Sequence, residues 1–113
     1  MADTTRRPLV AGNWKMNGLK ASAVEFDEII AGGKALLGAT DLMVCPPATL
    51  LLAFVGVARG SGIAIGGQDC HAQPAGAYTG DISADMRPRS ANASRKRSTS
   101  CKFQHSCAGR PTC

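Results

Sequence analysis

The chain has 113 residues, a formal net charge of +5, 44% hydrophobic residues and only 4% aromatic ones. That length makes one domain of modest size, well short of the roughly 250 residues that a closed eight-stranded α/β barrel takes. A core must therefore rest on Leu, Ile, Val, Ala and Met, and the longest apolar run, Ala48 to Ala58, is interrupted by Thr49 and Gly56 and too short to span a bilayer.

The segment Met1 to Arg7 lacks the basic-then-apolar layout of a secretory signal, so a cytoplasmic chain with no membrane segment is expected. Pro8 leads into Leu9, Val10 and Ala11, which read as a buried strand. Gly12 then loosens the backbone just where Asn13, Trp14 and Lys15 bring together an amide, an indole and an ammonium. Polar groups at the carboxyl end of a strand lie where ligands bind in parallel α/β folds. Lys15 is a compact charge with three donors, suited to a phosphate or a developing oxyanion, and Asn13 offers both a donor and an acceptor.

Asn17-Gly18 marks a turn, and the segment from about Leu19 to Leu37 has helical spacing, with Leu19, Ala23, Phe26, Ile30 and Leu37 near one face. Gly32-Gly33 weakens that helix and Gly38 suits its end. Leu42 to Cys45 reads as a second strand, Pro46-Pro47 as its exit and the entry to a helix over Ala48 to Arg59. After the break at Gly60-Ser61-Gly62, Ile63 to Gln68 reads as a third strand. Alternating strands and helices predict right-handed βαβ units and a parallel sheet.

A loop from Asp69 to Asp81 is longer than a connection needs and is expected to contact something. Ser83 is placed to cap a short helix carrying Asp85 in its first turn. Pro88 falls inside that helix, and no apolar period survives beyond it. Charge changes at the same point. Residues 1–86 hold six basic residues against eight acidic ones, while residues 87–113 hold seven basic and no acidic residues. The chain thus divides into a structured part, 1–86, and a basic tail, 87–113, expected to be disordered.

Cys45 and Cys70 are expected to be small buried thiols. His71, two residues from Asp69, reads as a loop histidine held by hydrogen bonds in preference to half of a metal pair. In the tail, Cys101, His105, Cys107 and Cys113 have spacings that match no common zinc finger, so no metal site is expected. The tail's Arg, Lys and Ser cluster suits nonspecific, salt-sensitive contact with phosphate backbones, although Phe103 is its one aromatic.

G-N-W-K-M-N at 12–17, V-C-P-P at 44–47 and G-G-Q-D-C-H-A-Q-P-A-G-A-Y-T-G-D-I-S at 66–83 occur in that order with βα-unit spacing. Together they resemble the amino-terminal third of the triosephosphate isomerase family, bacterial type, over about residues 6–86. The resemblance implies a partial TIM (β/α)8 barrel, about its first three βα units. It implies interconversion of dihydroxyacetone phosphate and glyceraldehyde 3-phosphate, in glycolysis and gluconeogenesis, with a triose phosphate as substrate and no cofactor. Asn13, Trp14 and Lys15 would contact substrate, Lys15 supplying electrostatic catalysis, with the Trp14 side chain packed behind the site. Met16 and the loop tip Tyr78, Thr79, Gly80 and Asp81 would form the contact of a homodimer, Asp81 standing where many members have the longer glutamate.

The family abstracts a proton beside a carbonyl with a glutamate base while a neutral histidine polarises that carbonyl, and it is itself a standard illustration of such tuning. Those segments, G-H-S-E-R-R-like and E-P-V-W-like, do not occur in the chain. The resemblance therefore implies inactivity of this chain alone and a departure from the family's reading frame near Met86 or Arg87. The alternative is a noncatalytic chain whose basic tail binds nucleic acid or acidic partners. Three βα units also leave outer strands unpaired and one sheet face bare, which predicts loose packing or dependence on a partner.

Overall fold

A computed structural model describes residues 6–88. Three strands, β1 (Leu9–Asn13), β2 (Asp41–Cys45) and β3 (Ala64–Ile65), form a parallel sheet in the order β1-β2-β3. Two helices, α1 (Ala23–Gly33) and α2 (Leu51–Ala58), make the crossovers. This is the expected α/β arrangement, a small parallel sheet with one helix per connection. Of the expected tail only Arg87 and Pro88 are described, the Arg87 N–H donating to the Ala84 carbonyl at 3.3 Å; the expectations for the rest of it, including its cysteines, lie outside the described residues.

Register fixes what each face carries. Val10 pairs with Leu42, Gly12 with Val44, and Val44 with Ile65, so this face, with Ile63, turns toward the helices. Phe26 of α1 and Phe54 of α2 are fully buried there and stack with ring centroids 4.5 Å apart and planes 3° apart. Val44, Leu50, Val55, Ile63 and Ile65 complete the core around them. Burying such a Phe side chain is worth about 1.5–3 kcal/mol, so these two rings are the largest single contributors to a core otherwise built from aliphatics.

The helices are shorter than the spacing predicts. Residues Lys20–Ser22 and Lys34–Leu36 form single 3-10 turns on either side of α1, so the change of helix type falls at Gly33, where the two glycines were expected to weaken it. Gly33 is buried, and a Cβ there would meet Leu42 Cδ1 at 2.8 Å. Its place is thus set by close helix-to-strand approach. Leu19 lies outside α1 and is 79% exposed, contrary to its expected place on the buried face. Likewise Ala48–Leu50 form a 3-10 turn, α2 begins at Leu51, and Arg59 has left the helix with ψ at 125°.

Three further expectations are corrected. The first strand extends to Asn13, but Leu9 and Val10 are 50% and 58% exposed. They sit on an edge strand that no described helix covers on its far side, so an apolar run there is not a buried one. The third strand shrinks to Ala64–Ile65, although the Gly66 N–H still donates to the Val44 carbonyl at 3.0 Å. Gly66 and Gly67 have no side chains to hold an extended pairing. Ser83 caps no helix. It is buried in a parallel bridge with His71, and turns follow it up to Pro88.

The entry to the sheet is pinned by polar contacts from Arg7 and Thr40. Arg7 Nε lies 3.3 Å from Asp41 Oδ1, the Arg7 guanidinium donates to the Leu37 carbonyl, and Thr40 Oγ1 donates to the Pro8 carbonyl at 2.8 Å. The ion pair is half exposed and contributes no more than about 1 kcal/mol. No helix among the described residues is long and apolar enough to cross a membrane.

Candidate functional site

The carboxyl ends of the three strands meet at Asn13, Cys45 and the Gly66-Gly67-Gln68 segment, where Asn13 and Cys45 are direct register partners. Beyond Asn13 the chain must leave the sheet. It does so through Trp14, whose N–H donates to the Cys45 carbonyl at 3.0 Å, extending the ladder by one bond. The next residue, Lys15, has φ of 56°, which makes it the one non-glycine in the left-handed region among the described residues. For a residue with a Cβ, that conformation costs about 1–2 kcal/mol.

Two side chains offset this strain. Asn13 Oδ1 accepts the Lys15 N–H at 2.8 Å, closing a short turn of the kind Asn side chains form two residues on. Gln68 Nε2 donates to the Lys15 carbonyl at 2.8 Å and to the Cys45 carbonyl at 3.0 Å. Lys15 is thus gripped at both its N–H and its carbonyl while its side chain stays exposed. Asn17 Nδ2 adds a donor to the Trp14 carbonyl at 3.1 Å. A strained backbone held in this way is a frequent mark of a functional position.

The Trp14 ring lies behind this turn and meets Phe54 edge-on, with centroids 5.2 Å apart and planes at 83°. Gly18, with φ of 109°, passes so close that a Cβ would meet Leu50 Cδ1 and Trp14 Nε1 at 2.9 Å. Of the residues singled out from sequence, Asn13, Trp14 and Lys15 are therefore brought together. Gln68 was missed as a contributor. Its place at the carboxyl end of the expected third strand was the available signal, because that is where a side chain can reach across to the first strand's end.

Met16, Tyr78, Thr79, Gly80 and Asp81 do not join this cluster. Met16 is 95% exposed, and the other four belong to the long loop after β3. That loop is organised by His71. Its Nδ1 accepts the Gln73 N–H at 3.0 Å, and its backbone N–H donates to the Ile82 carbonyl at 2.8 Å. The His71 ring lies against Tyr78 with centroids 3.8 Å apart, and its Nε2 lies 3.9 Å from Asp81 Oδ2. Accepting at Nδ1 leaves the imidazole proton on Nε2, facing the carboxylate. The expectation of a loop histidine held by hydrogen bonds is met. Asp69 turns elsewhere, its Oδ1 accepting the Cys70 N–H at 2.8 Å. Cys45 and Cys70 are both buried.

Two concavities flank the site. One, of about 560 Å³, opens beside β1 and α1 and touches Asn13 and Trp14 but not Lys15. The other, of about 160 Å³, lies between α2 and the loop at Gln68, Asp69, Asp81 and Ile82. Chemically, the strand-end turn offers an exposed cation on a rigid backbone, able to hold an anion but with no described base or acid aimed at the same point.

Parallel strands joined by helices, with polar groups gathered at the strands' carboxyl ends, define an α/β protein whose site lies at the carboxyl edge of a parallel sheet. The triosephosphate isomerase family model matches residues 8–91, and the chain belongs to that family. It is 63% identical over 81 residues to triosephosphate isomerase of Bradyrhizobium sp. (strain ORS 278), covering 71% of this chain and 32% of the relative. The corresponding enzyme of Ruegeria pomeroyi (strain ATCC 700808 / DSM 15171 / DSS-3) is 60% identical over 81 residues, covering 72% and 32%. The crystal structure of triosephosphate isomerase from Bartonella henselae superposes with a TM-score of 0.63 at 46% identity, covering 71% of this chain and 32% of that one. The chain therefore spans about a third of the length of the relatives it matches.

Proposed function

We propose that this chain carries the substrate-anchoring part of a triosephosphate isomerase site, in which Lys15 supplies positive charge to a triose phosphate and to the oxyanion formed from it. Asn13 and Trp14 hold the turn that presents Lys15. The reaction served by the complete site is the interconversion of dihydroxyacetone phosphate and glyceraldehyde 3-phosphate, a step of glycolysis and gluconeogenesis, in the cytoplasm. The observation that supports this most is the strained Lys15 backbone, clamped by Asn13 and Gln68 at the strand ends. Such a clamp has little use unless the ammonium's position matters.

Shifting a proton between adjacent carbons needs a base and a proton donor at the carbonyl. The chain supplies a cation in their stead, so by itself it is inactive. In the same reading Met16, Tyr78, Thr79, Gly80 and Asp81 form the contact between two subunits. The isomerase-like part is taken as residues 1–86 and residues 87–113 as a separate basic segment outside the family's reading frame, while the family model's match runs to residue 91.

The test grafts residues 6–86 in place of the matching stretch of the Bradyrhizobium enzyme. The graft is expected to isomerise glyceraldehyde 3-phosphate, and Lys15→Ala within it to lose at least about 100-fold in kcat/KM, the scale of removing one oxyanion-stabilising group. A folded graft without turnover, or one indifferent to Lys15→Ala, refutes the reading. Turnover by the 113-residue chain alone that vanishes on Lys15→Ala refutes its inactivity.

A further inference from the structure

We propose that His71 is a proton-operated latch in the loop after β3: neutral, it holds the Gln73 end of the loop, and on taking up a proton it releases that end while keeping its hold on the tip at Tyr78 and Asp81. The proposal rests on the loop's own geometry, and uses neither the anchoring role given to Lys15 nor the subunit contact given to the tip.

Both ring nitrogens are committed, and to opposite kinds of partner. Nδ1 lies 3.0 Å from the Gln73 backbone nitrogen and accepts its proton, so it carries a lone pair. Nε2 faces Asp81 Oδ2 at 3.9 Å and carries the ring's one proton. A second proton can enter only at Nδ1. There it meets the Gln73 N–H, donor against donor, and that hydrogen bond is lost. The same proton makes the ring a cation, which is drawn toward the Asp81 carboxylate and toward the Tyr78 ring, 3.8 Å away between centroids. One event thus breaks the contact on one side of the imidazole and strengthens those on the other.

The surroundings decide which part of the loop moves. The His71 backbone is held independently of its ring, since its N–H donates to the Ile82 carbonyl at 2.8 Å and the residue pairs with buried Ser83. The tip is a packed unit. The Tyr78 ring lies over Gly76, whose Cβ would meet Tyr78 Cε2 at 2.6 Å, and the Asp81 N–H donates to the Tyr78 carbonyl at 3.0 Å. Between these two fixed points residues 72–75 are exposed, and the Gln73 bond to the imidazole ties them back. Acid therefore loosens residues 72–75 and leaves the tip in place.

Among the described residues, Asp81 is the charge that faces the ring from the tip. On the side of β3, Asp69 turns its Oδ1 to the Cys70 N–H, and Cys70 Sγ donates to the His71 carbonyl at 3.6 Å. In the turns after Ser83, Asp85 is exposed, and Arg87 lies over Gly67, where a Cβ would meet its guanidinium at 2.9 Å. On the side of α2, Ala48 and Leu51 meet Asp81 across the small cavity and carry no charge.

The test follows the 113-residue chain by NMR from about pH 8 to about pH 5, the range in which imidazoles take up a proton, with Trp14 emission reporting that the core stays folded. Exchange of the Gln73 amide, taken relative to an unstructured peptide at each pH, is expected to quicken at least about tenfold on acidification, the scale of one lost hydrogen bond. Protection of the His71 amide and the packed positions of the Tyr78 ring resonances are expected to persist. His71→Asn, which offers an acceptor that does not titrate, is expected to keep Gln73 protected throughout. Asp81→Asn, which removes the charge that favours the imidazolium, is expected to move the release of Gln73 to lower pH. Gln73 exchange that is flat in pH, that quickens alike in His71→Asn, or that ignores Asp81→Asn overturns the proposal. So does joint loss of protection at Gln73 and His71, because the loop then opens as a whole and no latch divides it.

Discussion

Replacing Gln68 tests how the Lys15 turn is held. In the native chain its amide donates to the Lys15 and Cys45 carbonyls at 2.8 and 3.0 Å. The Cys45 carbonyl keeps a second donor, the Trp14 N–H, so Gln68→Ala leaves it satisfied. The Lys15 carbonyl is exposed and regains water. Each lost bond is therefore worth the low end of the usual 0.5–1.5 kcal/mol, about 1 kcal/mol for the pair. That equals most of the roughly 1–2 kcal/mol by which the left-handed conformation at Lys15 is disfavoured. At Lys15 itself the Asn13 contact remains, with the Asn17 and Cys45 contacts holding only the neighbouring Trp14, so Lys15 should exchange between left-handed and right-handed backbone. Gln68→Glu should be worse, because a carboxylate facing two carbonyl oxygens has no hydrogen to donate. Urea denaturation reads the stability change, and the Lys15 Cα shift and H–N–Cα–H coupling read the conformation. Native-like Lys15 couplings in both variants, with stability changed by less than about 0.3 kcal/mol, would show that Gln68 does not brace the turn.

Phe54→Ala removes the ring that stacks on Phe26 and backs Trp14; a loss of about 3–5 kcal/mol is expected. Because Trp14 is the sole tryptophan, its emission should shift to the red before the unfolding transition begins, and an unchanged spectrum in a folded variant would contradict the packing. His71→Ala is expected to speed Gln73 amide exchange and move the Tyr78 ring resonances toward random-coil values. His71→Asn, which restores an acceptor but no ring, should slow the Gln73 exchange again and leave Tyr78 released. Equal behaviour of the two variants would mean that the loop is held by something other than the imidazole.

The parallel α/β order was legible because the three apolar runs are separated by helical spacing, and Phe26 announces the buried face of α1. The site was legible only in part. Asn13, Trp14 and Lys15 are consecutive, so their meeting follows from a strand end. Nothing in a lysine signals left-handed backbone, since the residues that adopt it readily are Gly and Asn. The contribution of Gln68 spans 53 positions of sequence and depends on the sheet bringing the ends of β1 and β3 together. Burial of Leu9 and Val10 was misjudged for a related reason, because an apolar residue is buried only if another element covers it. Ser83 was read as a cap from local chemistry, whereas its pairing with His71 across the long loop decides its place.

These features share one asymmetry. The core is centred on β2, β3 and the two helices, where Phe26, Phe54 and Ile63 are fully buried, while β1 hangs on one side of it by its pairing to β2. Yet the candidate anchor stands at the end of β1. Beyond the local contacts of Asn13 and Asn17, its rigidity has to come from the inner side, and the long-range braces do: the Trp14 N–H on Cys45 of β2, the Trp14 ring on Phe54 of α2, and Gln68 beyond β3. An anchor supported from that side keeps its geometry whether or not the outer edge is occupied.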